Sequence, residues 1–84
     1  MPHRLATANR VVGTKQTMKA IQAGKAELVY LAQDADEHVI GPVRRECTVR
    51  GIEVVEVGTM AELGKACSIE VGAAVACVMK STEN

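Results

Sequence analysis

The apolar positions of this chain fall into short runs, some at helical spacing and others consecutive or alternating. Met18 and Ile21 lie three residues apart among alanines, which predicts the inner face of a helix. Residues 28–31 (Leu-Val-Tyr-Leu) are consecutive, as is typical of a strand that is buried on both faces. The whole pattern predicts helices over residues 3–9, 14–23, 42–50 and 60–67, and strands over residues 11–12, 26–32, 52–57 and 71–79.

Residues that start and stop helices support these boundaries. Gly24 and Gly51 follow predicted helices and suit left-handed caps. Pro42 suits the first turn of a helix, and the acids that precede it are candidates to cap that helix. Thr59, with Glu62 three residues later, predicts a capping box.

The alternation of helices and strands predicts the fold class. Helices between successive strands cover both faces of a sheet, so we expect an α/β fold, a three-layer α/β/α sandwich around a four-stranded mixed sheet. The 84 residues are enough for a single domain with a small core.

Residues 13–19 (Gly-Thr-Lys-Gln-Thr-Met-Lys) are the first candidate for function. A helix that begins at Thr14 has unpaired N–H groups and a partial positive charge at its start, which favour an anionic ligand. Lys15 and Gln16 then lie in the first turn, and Lys19 lies one turn further on the same face. A solvated lysine-rich face is the plain alternative.

Charge is distributed unevenly although the formal net charge is zero. The first 25 residues contain five lysines and arginines, Arg10 among them, and no acid. Residues 27–62 contain eight acids against three arginines. Because screening limits each charge to about 10 Å, the basic end can attract phosphate independently of the acidic middle.

Composition excludes several other classes of protein. No apolar run approaches the length of a membrane span and no signal peptide opens the chain, so we expect a cytoplasmic protein without membrane contact. The three cysteines form no C-x-x-C pair and lie far from both histidines, so we expect small buried side chains and neither a metal nor another cofactor. The sequence contains no recognisable pairing of a nucleophile with a base, so we do not expect an enzyme.

Residues 68–72 (Ser-Ile-Glu-Val-Gly) form a predicted loop before the last strand. An apolar residue on a loop beside a basic helix end is a suitable platform for an unstacked base. We favour Ile69 slightly for that role; for Val71 an inward, core position is equally expected.

Three segments together resemble the kink-turn RNA-binding ribosomal proteins of the L7Ae and L30e type, most closely the small bacterial L7Ae-like proteins. They are GTKQTMKAIQAG at 13–24, AELVYLAQDAD at 26–36 and LGKACSIEVGAA at 63–74. The resemblance implies an α/β/α domain over residues 1–84 that binds kink-turn RNA without catalysis, as a monomer, with the ribosome as one candidate assembly.

The resemblance also implies roles for individual residues. The segment that starts at Gly13 would meet the exposed base edges of sheared G·A pairs, and the loop after Ser68 would pack on a flipped-out nucleotide. The residues implied to bind RNA are Gly13, Thr14, Lys15, Gln16, Lys19, Ile69, Glu70, Val71 and Gly72.

Four positions depart from the family pattern. Lys15 stands where many members carry Asn, and Gln16 where Glu is frequent. Ser68 replaces a frequent Gly, and Met60 replaces a frequent Lys.

The alternative function is that of a module that docks another protein through the 63–72 loop.

Overall fold

The computed structural model describes residues 9–80, and within them three helices and four strands alternate along the chain. The predicted helix over residues 3–9 lies almost wholly outside the described residues. The elements are β1 (Arg10–Val12), α1 (Thr14–Gln22), β2 (Ala26–Ala32), α2 (Glu37–Arg50), β3 (Glu53–Val57), α3 (Met60–Ala66) and β4 (Val75–Met79).

The four strands form one mixed sheet in the order β1-β4-β2-β3. β2 and β3 are parallel, joined through α2, whereas β4 is antiparallel to both β1 and β2. Ala76 of β4 is opposite Val12 on one side and Tyr30 on the other. The predicted mixed sheet is therefore confirmed.

Helices cover both faces of this sheet. Val29 and Leu31 of β2 pack with α1 and α2, and the alternate residues Tyr30 and Ala32 pack with α3. All four side chains are buried, which explains why the run of apolar residues in β2 is continuous. The three-layer α/β/α sandwich is confirmed.

The start of α2 differs from the prediction. The helix begins at Glu37 and not at Pro42, because the Asp36 carboxylate accepts a hydrogen bond from the His38 N–H (2.8 Å) and caps it. Pro42 consequently lies inside the helix, where its missing N–H removes one bond of the helical ladder. The other end matches: Gly51 is the C-cap residue at φ 70°.

The start of β4 also differs from the prediction. The strand begins at Val75, and residues 68–74 form a loop. Non-local contacts hold this segment out of the sheet, since the Ala73 N–H donates to the Met60 carbonyl (3.0 Å) at the start of α3. Hydrophobicity alone could not show this, because small apolar residues continue through the loop.

The three cysteines are free and buried, as predicted. Burial raises the pKa of the Cys47, Cys67 and Cys77 thiols, so they remain neutral at physiological pH and act as small apolar side chains. None of the three helices in residues 9–80 is long and apolar enough to cross a bilayer.

Candidate nucleic-acid interface

The two segments that the sequence singled out meet at one end of the sheet. β1 leads into Gly13, and the 68–74 loop leads into β4, its antiparallel neighbour. The Gly13 N–H donates to the Val75 carbonyl (2.8 Å), and the Ala32 N–H donates to the Ala74 carbonyl (2.9 Å). The N-terminus of α1 and the end of the 68–74 loop are therefore fixed beside each other.

The N-terminus of α1 is open. Gly13 is the N-cap residue at φ 111°, a conformation that side chains rarely adopt, and it contributes no side-chain cap. The first N–H groups of any helix have no partner within that helix. In α1 no acid lies in the first turn, so no carboxylate stands beside these groups either. An anion is the natural ligand for such an end.

Three exposed side chains extend this open end. Lys15 and Gln16 lie in the first turn of α1, and Lys19 lies one turn later. Within residues 9–80, neither Lys15 nor Lys19 forms an ion pair, so both charges face solvent. The inner face of the helix is carried by Ala20 and Ile21, which are buried.

The arginine of α2 that faces β3 is, by contrast, neutralised by acids. Arg44 donates to both carboxylate oxygens of Glu56 (3.1 and 3.2 Å) and to Glu37 (3.1 Å). These contacts, those with Glu56 above all, raise the pKa of Arg44. Such exposed pairs contribute little stability, but they leave α1 as the more available basic surface.

The 68–74 loop begins with a defined helix end. The Ser68 N–H donates to the Lys65 carbonyl and the Ile69 N–H to the Gly64 carbonyl, both at 3.0 Å, which is a Schellman motif. Ser68 itself has φ 63° and is the one non-glycine residue of the described chain in the left-handed region. This geometry explains why glycine suits the position.

Replacing Ser68 by glycine is expected to raise the free energy of unfolding by about 0.5–1 kcal/mol. Glycine adopts the left-handed conformation without the Cβ penalty, although it gains more entropy in the unfolded chain. Urea denaturation of both proteins measures the difference. Ser68→Ala is the control and should not stabilise; equal stability of the glycine and alanine variants would contradict a strained Ser68.

The loop presents Val71 more fully than Ile69. Val71 is 70% exposed, so its alternative position in the core is wrong. Ile69 is half-buried: it packs against the cluster beneath α3 and also lines an open depression beside that helix, so its contact with an unstacked base stays a prediction. The Schellman turn directs Ile69 back toward its own helix, as the hydrophobic contact of that motif does.

An open depression of about 310 Å³ lies between the loop and α3. Its lining contains two residues that the sequence analysis missed, Ala61 and Lys65, which lie four residues apart on one face of α3. The four-residue spacing of Ala61 and Lys65, in a helix that leads into the loop, was the sequence signal that could have placed both beside the candidate site. The full lining is Ala61, Lys65, Ile69, Glu70, Val71 and Gly72.

The N-terminus of α3 is occupied, unlike that of α1. The Thr59 hydroxyl accepts a hydrogen bond from the Glu62 N–H (3.0 Å), which confirms the predicted N-cap. The Asp34 carboxylate, whose role the sequence did not indicate, accepts from the Met60 N–H (2.8 Å). This end is therefore closed to anions and serves to anchor the 68–74 loop.

Close packing around Gly72 completes the anchor. A Cβ at Gly72 would lie 3.2–3.3 Å from three atoms of Met60, so the loop backbone runs tightly over the start of α3.

Arg10 does not contribute to the exposed basic end as the sequence predicted. Its Nη2 donates to the Cys67 carbonyl (2.6 Å), so this cation is committed within the protein.

The fold and this exposed end define a compact α/β/α protein with one candidate anion-binding face. A model of the ribosomal protein L7Ae/L30e/S12e/Gadd45 family matches residues 2–84. The chain therefore belongs to this family, as the sequence resemblance predicted.

Individual relatives agree with this assignment. An RNA-binding protein of Caldanaerobacter subterraneus subsp. tengcongensis is 51% identical over 67 residues, spanning 80% of this chain and 82% of that protein. RNA-binding protein YbxF of Geobacillus stearothermophilus is 41% identical over 70 residues, spanning 83% and 85%. The structure of the Giardia lamblia 15.5kD RNA binding protein aligns with a TM-score of 0.85 at 31% identity, covering 95% of this chain and 68% of that one.

Proposed function

We propose that this protein binds structured RNA and stabilises kink-turn motifs, without catalysing a reaction. The observation that carries the proposal is the placement of the uncapped α1 N-terminus, with Lys15 and Gln16, beside the loop that presents Val71. The family assignment and the names of the relatives, which are RNA-binding proteins, support the same class of ligand.

The chemistry of the two segments suits a sharply bent RNA. A bend crowds phosphates, and the free N–H groups of α1 with Lys15 and Lys19 supply the charge that relieves their repulsion. Lys15 can donate to an acceptor such as guanine O6 or N7, whereas Gln16 can both donate and accept. We therefore assign base edges to the first turn and backbone phosphate to Lys19.

The depression beside α3 suits an unstacked nucleotide. Val71 and Ile69 offer apolar surface to a base, and Lys65 borders the same space with a cation that can pair with phosphate. Glu70 offers a carboxylate that accepts hydrogen bonds from base amino groups. Specificity would then come from the shape of the folded RNA as well as from these contacts.

The mechanism is selection of one RNA conformation. A kink-turn exchanges between bent and extended forms, and a protein that binds the bent form more tightly shifts the population toward it. The shift can be no larger than the difference in affinity between the two forms. We place this activity in the cytoplasm and in a monomer, with ribosomal RNA among the candidate ligands because the family contains ribosomal proteins.

The proposal is tested with two RNAs that differ only in the kink-turn. One carries tandem G·A pairs, and in the control these are replaced by Watson–Crick pairs. We expect the protein to bind the kink-turn roughly 100-fold more tightly, since two base contacts at 1–3 kcal/mol each account for that ratio. Equal affinity for the two RNAs would defeat the proposal.

Because Val71 is exposed, the docking of a protein on the 63–72 loop is a second candidate function. Salt separates the two. RNA affinity should fall by roughly 0.7–0.9 log units per neutralised phosphate over each tenfold rise in salt. A partner whose affinity does not respond to salt would favour protein docking.

A further inference from the structure

Arg10 joins β1 to the end of α3, where the 68–74 loop begins. It begins β1, opposite Val78, and its Nη2 donates to the carbonyl of Cys67 at 2.6 Å, across 57 residues of sequence. Cys67 is the C-cap residue of α3, so the bonded carbonyl immediately precedes Ser68 and the rest of the loop. The same three-residue strand ends at Val12, directly before the Gly13 N-cap of α1.

The chemistry of this contact is that of a cation at a helix C-terminus. The last carbonyls of a helix carry a partial negative charge, and a guanidinium there is stabilising. Within residues 9–80, Arg10 forms no ion pair, and its Nε is buried without a hydrogen-bond partner. Within residues 9–80, the Cys67 carbonyl at the end of α3 is therefore the hydrogen-bond acceptor of the Arg10 guanidinium, and breaking the contact would free the point at which the loop leaves the helix.

We infer that Arg10 is a positioning residue that holds the 68–74 loop in place. It thereby sets the preference of the protein for an RNA with an unstacked nucleotide. This inference rests on the proposed RNA-binding function. Arg10 does not touch the RNA: it fixes Cys67, which fixes the left-handed turn at Ser68 and the orientation of Val71. The phosphate contacts of α1 are independent of it, because Gly13 is held separately by Val75.

The test measures selectivity as well as affinity. Wild type, Arg10→Met, Arg10→Gln and Arg10→Lys are titrated with a kink-turn RNA and with the same RNA made abasic at the unstacked nucleotide. Arg45→Met is the matched control, because Arg45 is exposed on α2, in the layer on the opposite side of the sheet from the loop. Hydrogen exchange of the Ile69 amide, which donates to Gly64, reports directly on the turn.

Loss of the charged donor should weaken binding of the intact kink-turn roughly tenfold, the scale of one hydrogen bond to a charged group. Binding of the abasic RNA should stay unchanged, so the ratio of the two affinities collapses in Arg10→Met and Arg10→Gln. Arg10→Lys should restore part of the ratio, and the Ile69 amide should exchange faster in the two neutral variants. Arg45→Met should behave as wild type in all three measurements.

Two results would overturn the inference. One is an unchanged affinity for both RNAs in both neutral variants, and the other is an equal loss of affinity for the two RNAs, which indicates a general loss of folded protein. Failure of the proposed function is seen separately, as a wild-type protein that does not distinguish the kink-turn from its Watson–Crick control. In that event the exchange rate of the Ile69 amide still decides whether Arg10 holds the loop.

Discussion

Replacing Gly64 by alanine is expected to displace the 68–74 loop and to lower the free energy of unfolding by about 3 kcal/mol. A Cβ at Gly64 would overlap the Val71 carbonyl oxygen and would lie 3.1 Å from the Gly72 Cα. Both neighbours are backbone, so the contact cannot be relieved by turning a side chain. Because small domains unfold at a cost of only about 5–10 kcal/mol, this loss is large.

The loop should also lose its function in the Gly64→Ala protein. If the backbone of residues 71–72 moves away from α3, the depression beside Lys65 changes shape and the Ala73–Met60 hydrogen bond breaks. Urea denaturation gives the stability change, and titration with the kink-turn RNA gives the loss of affinity.

Gly41→Ala is the matched control for this prediction. Gly41 also lies in a helix, but its new Cβ would meet only the flexible carboxylate end of Glu37, at 2.9 Å. Alanine has the higher helix propensity, but Gly41 precedes Pro42, whose Cδ crowds a Cβ at this position, so we expect the stability to change by no more than about 1 kcal/mol in either direction. A Gly64→Ala protein with wild-type stability and RNA affinity would show that the loop is not held against α3 as described.

Replacing Lys15 and Lys19 together by alanine is expected to weaken kink-turn binding roughly 100-fold at 0.1 M salt. Both side chains are exposed without ion-pair partners within residues 9–80, so their removal should cost little stability. Since Lys19 is assigned to a phosphate and Lys15 to a base edge, the slope of log affinity against log salt should fall by roughly one unit. Filter binding or fluorescence anisotropy over a salt series measures both quantities.

Lys25→Ala is the matched control for the lysine pair. Lys25 is also exposed, but its backbone carbonyl accepts from the Lys80 N–H at the other end of β4, away from the 68–74 loop. Its removal should change affinity by no more than general electrostatics allow, about twofold at this salt concentration. Equal effects of Lys25→Ala and the double variant would place the RNA along the whole basic surface and not at the α1 N-terminus.

Local signals in the sequence predicted much of the fold. The strand over Ala26–Ala32 matched its prediction because four consecutive apolar residues can be buried only between two layers. The Thr59 cap and the left-handed Gly51 were equally accessible, since each depends on residues within one helical turn. The misplaced start of α2 shows the limit of such signals, because Asp36 and Pro42 both suit a helix start and only one of them caps it.

The candidate site divides in the same way. The segment from Gly13 to Lys19 could be predicted, because its glycine, helix start and lysines are adjacent in sequence. The orientation of Val71 could not, since it depends on the Schellman turn at Ser68 and on contacts with Gly64 and Met60. The commitment of Arg10 to the Cys67 carbonyl was equally hidden, and it removed one cation from the expected basic end.

The sequence by itself determined which segments form helices and strands, although not where α2 and β4 begin, that these elements alternate around a sheet, and which helix start is open to an anion. These properties depend on spacing and capping among residues a few positions apart. The tertiary structure alone decided that the α1 N-terminus and the 68–74 loop share one end of the sheet, and that Val71 is exposed while Ile69 is half-buried against α3. Those properties depend on contacts between residues that lie far apart in the chain, such as Arg10 with Cys67 and Gly13 with Val75, which only the folded chain brings together.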